Sequence, residues 1–223
     1  MIQIHPTPSC LTAREVSVFR SGKPIFTKLS TVIFPGQALR LVGPNGCGKS
    51  TVLRLFAGLL SPIKGNVYWA NIPIKKDLSK HVNRVAYLGH KNAIKFSLTA
   101  RENAKTLLTV SGRYSQSSLD RAFKMLELEH LAGLPAGLLS EGQRNRVSLA
   151  RVIASFCPLW LLDEPTTGLD SAATNALENA ISLHLSDGGM VIFATHSAIN
   201  LGQDDKTLDP SDFACSLKLW EDI

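Results

Sequence analysis

The chain has 223 residues, of which 44% are hydrophobic and 19% are charged, a composition typical of a folded globular protein. No apolar run approaches the roughly 20 residues that a membrane helix needs, and the first residues lack the pattern of a targeting peptide. The composition therefore excludes a disordered chain and predicts one without membrane-spanning helices.

The net charge of +6 is unevenly distributed along the chain. Residues 1–151 carry 22 Lys and Arg against 7 Asp and Glu, whereas residues 152–223 carry 2 against 11. The basic residues are densest from Lys75 to Arg101, but they lack the regularly interleaved aromatic residues of a groove for single-stranded nucleic acid. We therefore predict no nucleic-acid partner and interpret the charge as a solvated face with a lining for an anionic ligand. A surface for an acidic partner or for anionic lipid headgroups is the alternative.

The first part of the chain predicts strands that lead into a glycine-rich loop and a helix. Pro35-Gly36 marks a turn between two of the strands, and an apolar face of Leu53, Phe56 and Leu60 predicts the helix. The expected strands cover 15–19, 25–34, 37–42 and 65–69, and the expected helix covers 50–60.

Helices and strands alternate in the rest of the chain. Thr99 and Glu102 fit a capping box that opens one helix, Ser117 and Asp120 open a second, and a third begins near Glu141. A strand at 159–163, a helix at 171–185 and a strand at 190–195 follow. This alternation predicts an α/β fold with a mostly parallel sheet. We expect a single domain over 1–223 with a helical subdomain at about 90–157.

Residues 43–50 match the pattern G-x-x-x-x-G-K-[ST], a P-loop whose backbone amides surround the phosphates of a nucleotide. The predicted strand before it and helix after it make an ordinary glycine-rich turn the weaker interpretation. Lys49 is expected to meet the β- and γ-phosphates, and Ser50 to ligate Mg²⁺. The candidate nucleotide-binding residues here are Gly43, Pro44, Asn45, Gly46, Cys47, Gly48, Lys49, Ser50 and Thr51.

A pair of carboxylates, Asp163 and Glu164, follows the apolar string Leu159-Trp160-Leu161-Leu162. In isolation such a pair could simply be solvated, but its place after a strand of the same fold favours a role in the chemistry. Asp163 can hold Mg²⁺ through water, and Glu164 can orient an attacking water. The expected cofactors are therefore ATP and Mg²⁺, with Glu164 and Lys49 as catalytic candidates.

A third string, Leu139-Ser140-Glu141-Gly142-Gln143 and the residues up to Arg151, resembles the signature of ABC ATPases. Gly168-Leu169-Asp170 is similar to the family's dimer-crossing D-loop, and His196 is similar to its switch histidine. The five motifs occur in the family's order along nearly the whole chain. The resemblance implies a P-loop NTPase fold of the ABC ATPase type, with a mostly parallel sheet core, an N-terminal antiparallel β part and a helical subdomain.

The resemblance also implies that two copies of the chain share each site. Ser140, Gly142 and Gln143 would contact a nucleotide bound to the P-loop of a second copy, in a head-to-tail dimer with Asp170 at the crossing. His196 would contact the γ-phosphate and is the third catalytic candidate.

Three features depart from the family pattern. Glu141 replaces a glycine and adds a negative charge near the partner's triphosphate, which predicts weaker or slower turnover. The tyrosine that usually stacks on adenine is missing, and Phe19 or Arg20 could replace it, Arg20 through a cation–π contact. His90 stands where a glutamine usually contacts Mg²⁺ and water. It is therefore a candidate for cofactor and metal contact, or instead a coupling surface.

Two segments, 58–69 and 88–103 with its Gly89-His90 pair, resemble the ATP-binding subunits of cytochrome c maturation haem exporters, the CcmA family. This resemblance implies a separate transmembrane subunit of the CcmB type and an ATP-driven handover of haem that this chain does not itself bind. Cys157-Pro158 could suggest a haem ligand, but a buried position before a strand is the stronger interpretation.

The implied location is peripheral, on the cytoplasmic face of the inner or plasma membrane, with the matrix side of the mitochondrial inner membrane as the alternative. The alternative functions are the ATPase of another small-molecule transporter and a soluble regulatory ATPase.

Overall fold

The structure, a computed structural model, describes residues 10–20, 23–197, 199–201 and 206–214. The strands are β1 (Leu11–Arg20), β2 (Lys23–Ile33), β3 (Ala38–Leu41), β4 (Lys64–Trp69), β5 (Ile72–Pro73), β6 (Val85–Leu88), β7 (Leu159–Asp163), β8 (Met190–Ala194) and β9 (Lys206–Leu208). The α-helices are α1 (Lys49–Phe56), α2 (Leu78–Val82), α3 (Ala100–Val110), α4 (Gln116–Met125), α5 (Glu141–Ile153) and α6 (Ser171–Ser186). Short 3-10 turns lie at Ile74–Lys76, Glu129–Leu131, Ala136–Leu138 and Pro210–Phe213.

The parallel sheet has the strand order β6-β7-β8-β3-β9, and every neighbouring pair is parallel. All residues of β7 and β8 are buried, as expected for parallel strands that are covered on both faces. The carboxyl ends of β3, β7 and β8 meet at one edge of the sheet, which is where ligands bind in folds of this kind. This edge carries the P-loop, Asp163 with Glu164, and His196.

The antiparallel sheet has the order β2-β1-β4-β5 and covers the parallel sheet from the side of α1. The register of β1 against its neighbours shifts between Arg14 and Ser17, so the strand is bulged there. An ideal Cβ on Gly65 would lie 2.5 Å from Glu15 C, so only glycine fits beside this bulge. The sheet places the end of β1, with Arg20, at the rim of the P-loop.

Helices α3, α4 and α5 pack together between β6 and β7 in the chain. Their apolar faces, which include Leu108, Phe123 and Leu149, share one buried cluster with Trp160 and Phe193 of the parallel sheet. The helical region at about 90–157 thus lies on one face of the sheet, and the antiparallel sheet lies on the other. Among the described residues, none of the helices is both long and apolar enough to cross a membrane.

Most predicted elements match the structure, and the capping box of Thr99 and Glu102 at the start of α3 is confirmed. The helix predicted to reach Leu60 ends at Phe56 instead, because Gly58 adopts a positive φ of 74° directly after the helix.

The predicted start of α4 was also wrong. Ser115 is its N-cap, and Asp120 accepts hydrogen bonds from Arg101 and Gln116 rather than closing a capping box.

Candidate functional site

The P-loop joins β3 to α1 and has the backbone of an anion-binding loop. Gly43, Gly46 and Gly48 have φ values of 111°, 84° and 111°, which other residues adopt only with strain. An ideal Cβ on Gly48 would lie 2.8 Å from Ile25 Cγ2, and one on Gly43 would lie 2.8 Å from Asp209 Cγ. Gly48 caps α1 without a side chain, so the first amides of α1 are left for a ligand.

Lys49 holds its charge at the centre of this loop. It is 9% exposed, and its Nζ donates hydrogen bonds to Gly43 O at 2.7 Å and to Pro44 O at 3.1 Å. These carbonyl oxygens keep the ammonium group over the loop, in the position from which it can meet a phosphate.

A cleft of about 680 Å³ opens above the loop at the carboxyl edge of the parallel sheet. Most of the predicted site residues line this cleft, together with three residues that were not predicted from the sequence, Ile25, Arg54 and Thr167. The helical spacing of Arg54, four residues after Ser50, could have indicated it, whereas no sequence signal points to Ile25. The predicted residues in the lining are Arg20, Asn45, Gly46, Gly48, Lys49, Ser50, Thr51, His90, Asp163, Glu164 and His196.

Within the described ranges, the lining does not include Gly43, Pro44, Cys47 or Phe19. The first three shape the loop through their backbone, and the Cys47 thiol lies 3.8 Å from Val42 O. Phe19 is only half-buried, and its neighbour Arg20 is the residue of this pair that lines the cleft.

Asp163 ends β7 as a buried carboxylate with an unsatisfied oxygen. It is 5% exposed, and its Oδ2 has no hydrogen-bond partner among the described residues. Such an atom normally needs a partner, which here would be a ligand of the cleft.

Glu164 has a strained backbone, with a φ of 52°, and its amide donates to Ala194 O at 2.8 Å. This conformation turns its carboxylate toward the chain after β8. The backbone amide of His196 donates to Glu164 Oε2 at 3.3 Å, and His196 Nε2 lies 3.5 Å from Glu164 Oε1. His196 Nε2 also lies 2.8 Å from Asn45 Oδ1 of the P-loop. A carboxylate, an imidazole and the P-loop therefore meet at one point.

The signature residues form a capped helix start elsewhere on the surface. Ser140 Oγ accepts from the Gln143 amide at 3.2 Å, and Gln143 Oε1 accepts from the Ser140 amide at 2.8 Å. Ser140 and Glu141 are exposed. Of the described residues that line the cleft, none belongs to this helix start.

Asp170 is used within its own chain. Its Oδ1 accepts from the Ala173 amide at 2.8 Å as the N-cap of α6, and its Oδ2 pairs with Arg146 of α5. The hydrogen bond from Ala173 is the main reason why the pKa of the Asp170 carboxyl lies below its ordinary value.

Comparison with known proteins decides the family. The profile of the ABC transporter family matches residues 26–167, which is more than half of the chain. The chain belongs to the ABC transporter family.

Within this family, the chain is 43% identical over 194 residues to the "Cytochrome c biogenesis ATP-binding export protein CcmA" of Rhodospirillum rubrum, covering 87% of this chain and 83% of the relative. The protein of the same name from Paramagnetospirillum magneticum is 39% identical and is matched over 90% and 94% of the two chains. The predicted resemblance to CcmA is therefore confirmed.

Solved structures agree with this ABC fold. An ATP-binding ABC transporter protein from Pyrococcus furiosus is 24% identical with a TM-score of 0.80, covering 93% of this chain and all of that one, and shows the fold alone. A dimeric bacterial ABC transporter cassette is 26% identical with a TM-score of 0.79, covering 90% of this chain and 95% of that one. The predicted fold class is confirmed, and the chain is an ATP-binding, ATP-hydrolysing subunit of an ABC transporter, similar to the CcmA export proteins.

Proposed function

We propose that this chain drives the haem export step of cytochrome c maturation, as the ATPase of a complex whose membrane-spanning subunit is a separate CcmB-like chain. The observation that carries this proposal is the 43% identity to a CcmA export protein over most of both chains. In this proposal the chain is peripheral on the cytoplasmic face of the membrane and does not bind haem itself. Cys157 is consistent with this, since it is 1% exposed and burial raises the pKa of its thiol.

The P-loop is proposed to bind the triphosphate of ATP. The amides at the start of α1 donate to the phosphates, and Lys49 exchanges its bonds to Gly43 and Pro44 for phosphate oxygens. Arg20 is the better candidate for stacking on adenine, because it lines the cleft and Phe19 does not.

The cleft also fits Mg²⁺. Ser50 and Asp163 both line it, and the unsatisfied Asp163 Oδ2 is an oxygen of the kind that this ion prefers. Ser50 would hold the ion directly, and Asp163 and His90 would hold it through water. When bound, the ion neutralises charge on the β- and γ-phosphates.

Glu164 is proposed to orient the attacking water and to accept its proton, while His196 and Lys49 stabilise charge on the γ-phosphate. The 3.5 Å between His196 Nε2 and Glu164 Oε1 brings both groups to the same end of the cleft. Hydrolysis then depends mainly on positioning and electrostatics.

We further propose that the active form is a head-to-tail dimer. The start of α5 carries the signature residues but is not part of the lining formed by the described residues of the same chain. Its exposed Ser140 and half-buried Gly142 can therefore complete the cleft of a second copy, with the positive end of α5 toward the γ-phosphate.

Two measurements test the proposed function. Tagged protein is isolated from membranes and its partner is identified, and cells that lack the chain are complemented with wild type or Glu164→Gln. We expect a multi-spanning CcmB-like partner, and c-type cytochromes that are restored by wild type only. A partner from another transporter, or normal cytochromes without the chain, contradicts haem export. Recovery in the soluble fraction only, with the membrane subunit present, indicates a regulatory ATPase instead.

A further inference from the structure

The start of α5 is packed tightly against the turn that follows Glu164, residues 165–170, which we call the Glu164 turn. An ideal Cβ on Gly142 would lie inside contact distance of Gly168 O, and it would be 3.2 Å from Gly168 C. Arg146 pairs with Asp170 at the other end of the turn. The helix start and the Glu164 turn therefore touch at both Gly168 and Asp170.

Asn145 lies at the centre of this contact and uses both ends of its side-chain amide. It is 9% exposed, and its Nδ2 donates to Thr167 O at 2.5 Å. Its Oδ1 accepts from Asn92 Nδ2, and Ser148 Oγ donates to Asn92 O at 3.0 Å. A buried amide with two such partners holds the joined segments in one arrangement, because an unmatched partner would be left unsatisfied.

These bonds connect the outward-facing signature to the chain's own cleft. The Thr167 amide donates to Glu164 O at 3.2 Å, and both residues line the cleft. Asn145 lies two residues beyond Gln143 of the capping box. Through Asn92, the same side chain reaches the segment that begins with His90, which also lines the cleft.

We propose that Asn145 is a positioning residue that ties the start of α5 to Glu164, so that contact with the nucleotide of a second copy sets Glu164 for attack on the chain's own nucleotide. This inference rests on the head-to-tail dimer of the proposed function. In that dimer each chain faces two nucleotides, one in its cleft and one at its helix start. The Asn145 link makes their hydrolysis cooperative.

Asn145→Asp tests the link with a minimal change. The aspartate still accepts from Asn92 Nδ2, but it presents an oxygen instead of a donor to Thr167 O. We expect the Hill coefficient of ATP hydrolysis to fall from near 2 to near 1, where 2 is the limit for two sites. We also expect kcat to fall by about 10-fold, the effect of a misplaced catalytic group, with the Kd for ATP of dilute protein unchanged.

Asn103→Asp is the matched control. Asn103 is 4% exposed, and its Nδ2 donates to Lys95 O at 2.9 Å and to Thr99 O at 3.0 Å, away from the Glu164 turn. This variant is expected to lower Tm while keeping the Hill coefficient of wild type. If Asn145→Asp does not fold, Arg146→Gln breaks the exposed pair with Asp170 and is expected to reduce cooperativity in the same direction.

The outcomes separate the link from the dimer. If wild type is cooperative and Asn145→Asp is equally cooperative, the role of Asn145 is overturned but the dimer is not. The same conclusion follows if wild type is cooperative and the Asn145→Asp and Asn103→Asp variants behave alike. A wild type whose specific activity is independent of protein concentration, with a Hill coefficient of 1, overturns the dimer and the link together. Loss of cooperativity at position 145 alone supports the link.

Discussion

Gly142→Ala is expected to disable hydrolysis without affecting nucleotide binding. Ordinary contacts of a Cβ begin at about 3.4 Å, and a methyl group at position 142 would approach Gly168 O far more closely than that. The Cβ is fixed by the backbone of α5 and Gly168 O is itself a backbone atom, so neither can rotate away. The start of α5 must therefore move from the Glu164 turn by roughly 1 Å, a misplacement that can reduce catalysis by about 10²-fold.

The assay is steady-state ATP hydrolysis together with calorimetric binding of ATP to dilute protein. We expect kcat to fall by about 10²-fold while the Kd for ATP stays within about twofold, since the P-loop is untouched. Gly133→Ala is the matched control, because its Cβ would meet no described atom within 4 Å. Wild-type turnover in Gly142→Ala would refute the steric argument, and an equal loss in Gly133→Ala would show a general effect of alanine.

Three further predictions concern catalysis, the partner contact and pH. Glu164→Gln should keep ATP binding and slow hydrolysis by about 10²–10⁴-fold, and near-normal single-turnover rates would remove Glu164 from its role. Ser140→Asp should keep the N-cap and hence Tm, yet abolish hydrolysis by placing negative charge toward the partner's triphosphate; a variant that stays active contradicts the shared site. Burial lowers the pKa of His81 and His184 below 6.5, so their contribution to stability is complete above pH 6.5 and is lost as pH falls. The unfolding free energy should fall by up to about 1.4 kcal/mol per pH unit for each histidine, with a shallower slope in His81→Gln.

The sequence predicts those parts of the site that depend on local rules. The P-loop needs glycines at fixed positions, and the buried strand β7 is a continuous apolar run, so both could be located from residue types alone. The capping box at Thr99 is also a local pattern, and it is confirmed in the structure.

The missed features depend on contacts between distant segments. β6 and β9 are short strands that lack a clear pattern of their own. They form because β6 pairs with β7 and β9 pairs with β3, and both partners are distant in the sequence. Asn145 lies within the signature string, but the motif does not indicate its partners, and only the fold brings it to Asn92, which lies 53 residues away. Sequence patterns therefore indicated which residues carry chemistry, but they did not reveal how those residues are connected.

The P-loop is supported by residues 206–209, a segment that contains none of the motifs. β9 pairs with β3 directly before the loop, and the Asp209 carboxyl group occupies the space beside Gly43. The Val42 amide donates to Leu208 O at 3.0 Å, which completes this support. Nucleotide affinity therefore also depends on residues 206–209. A segment exchange or a fusion that displaces these residues would abolish ATP hydrolysis even though every signature residue is intact.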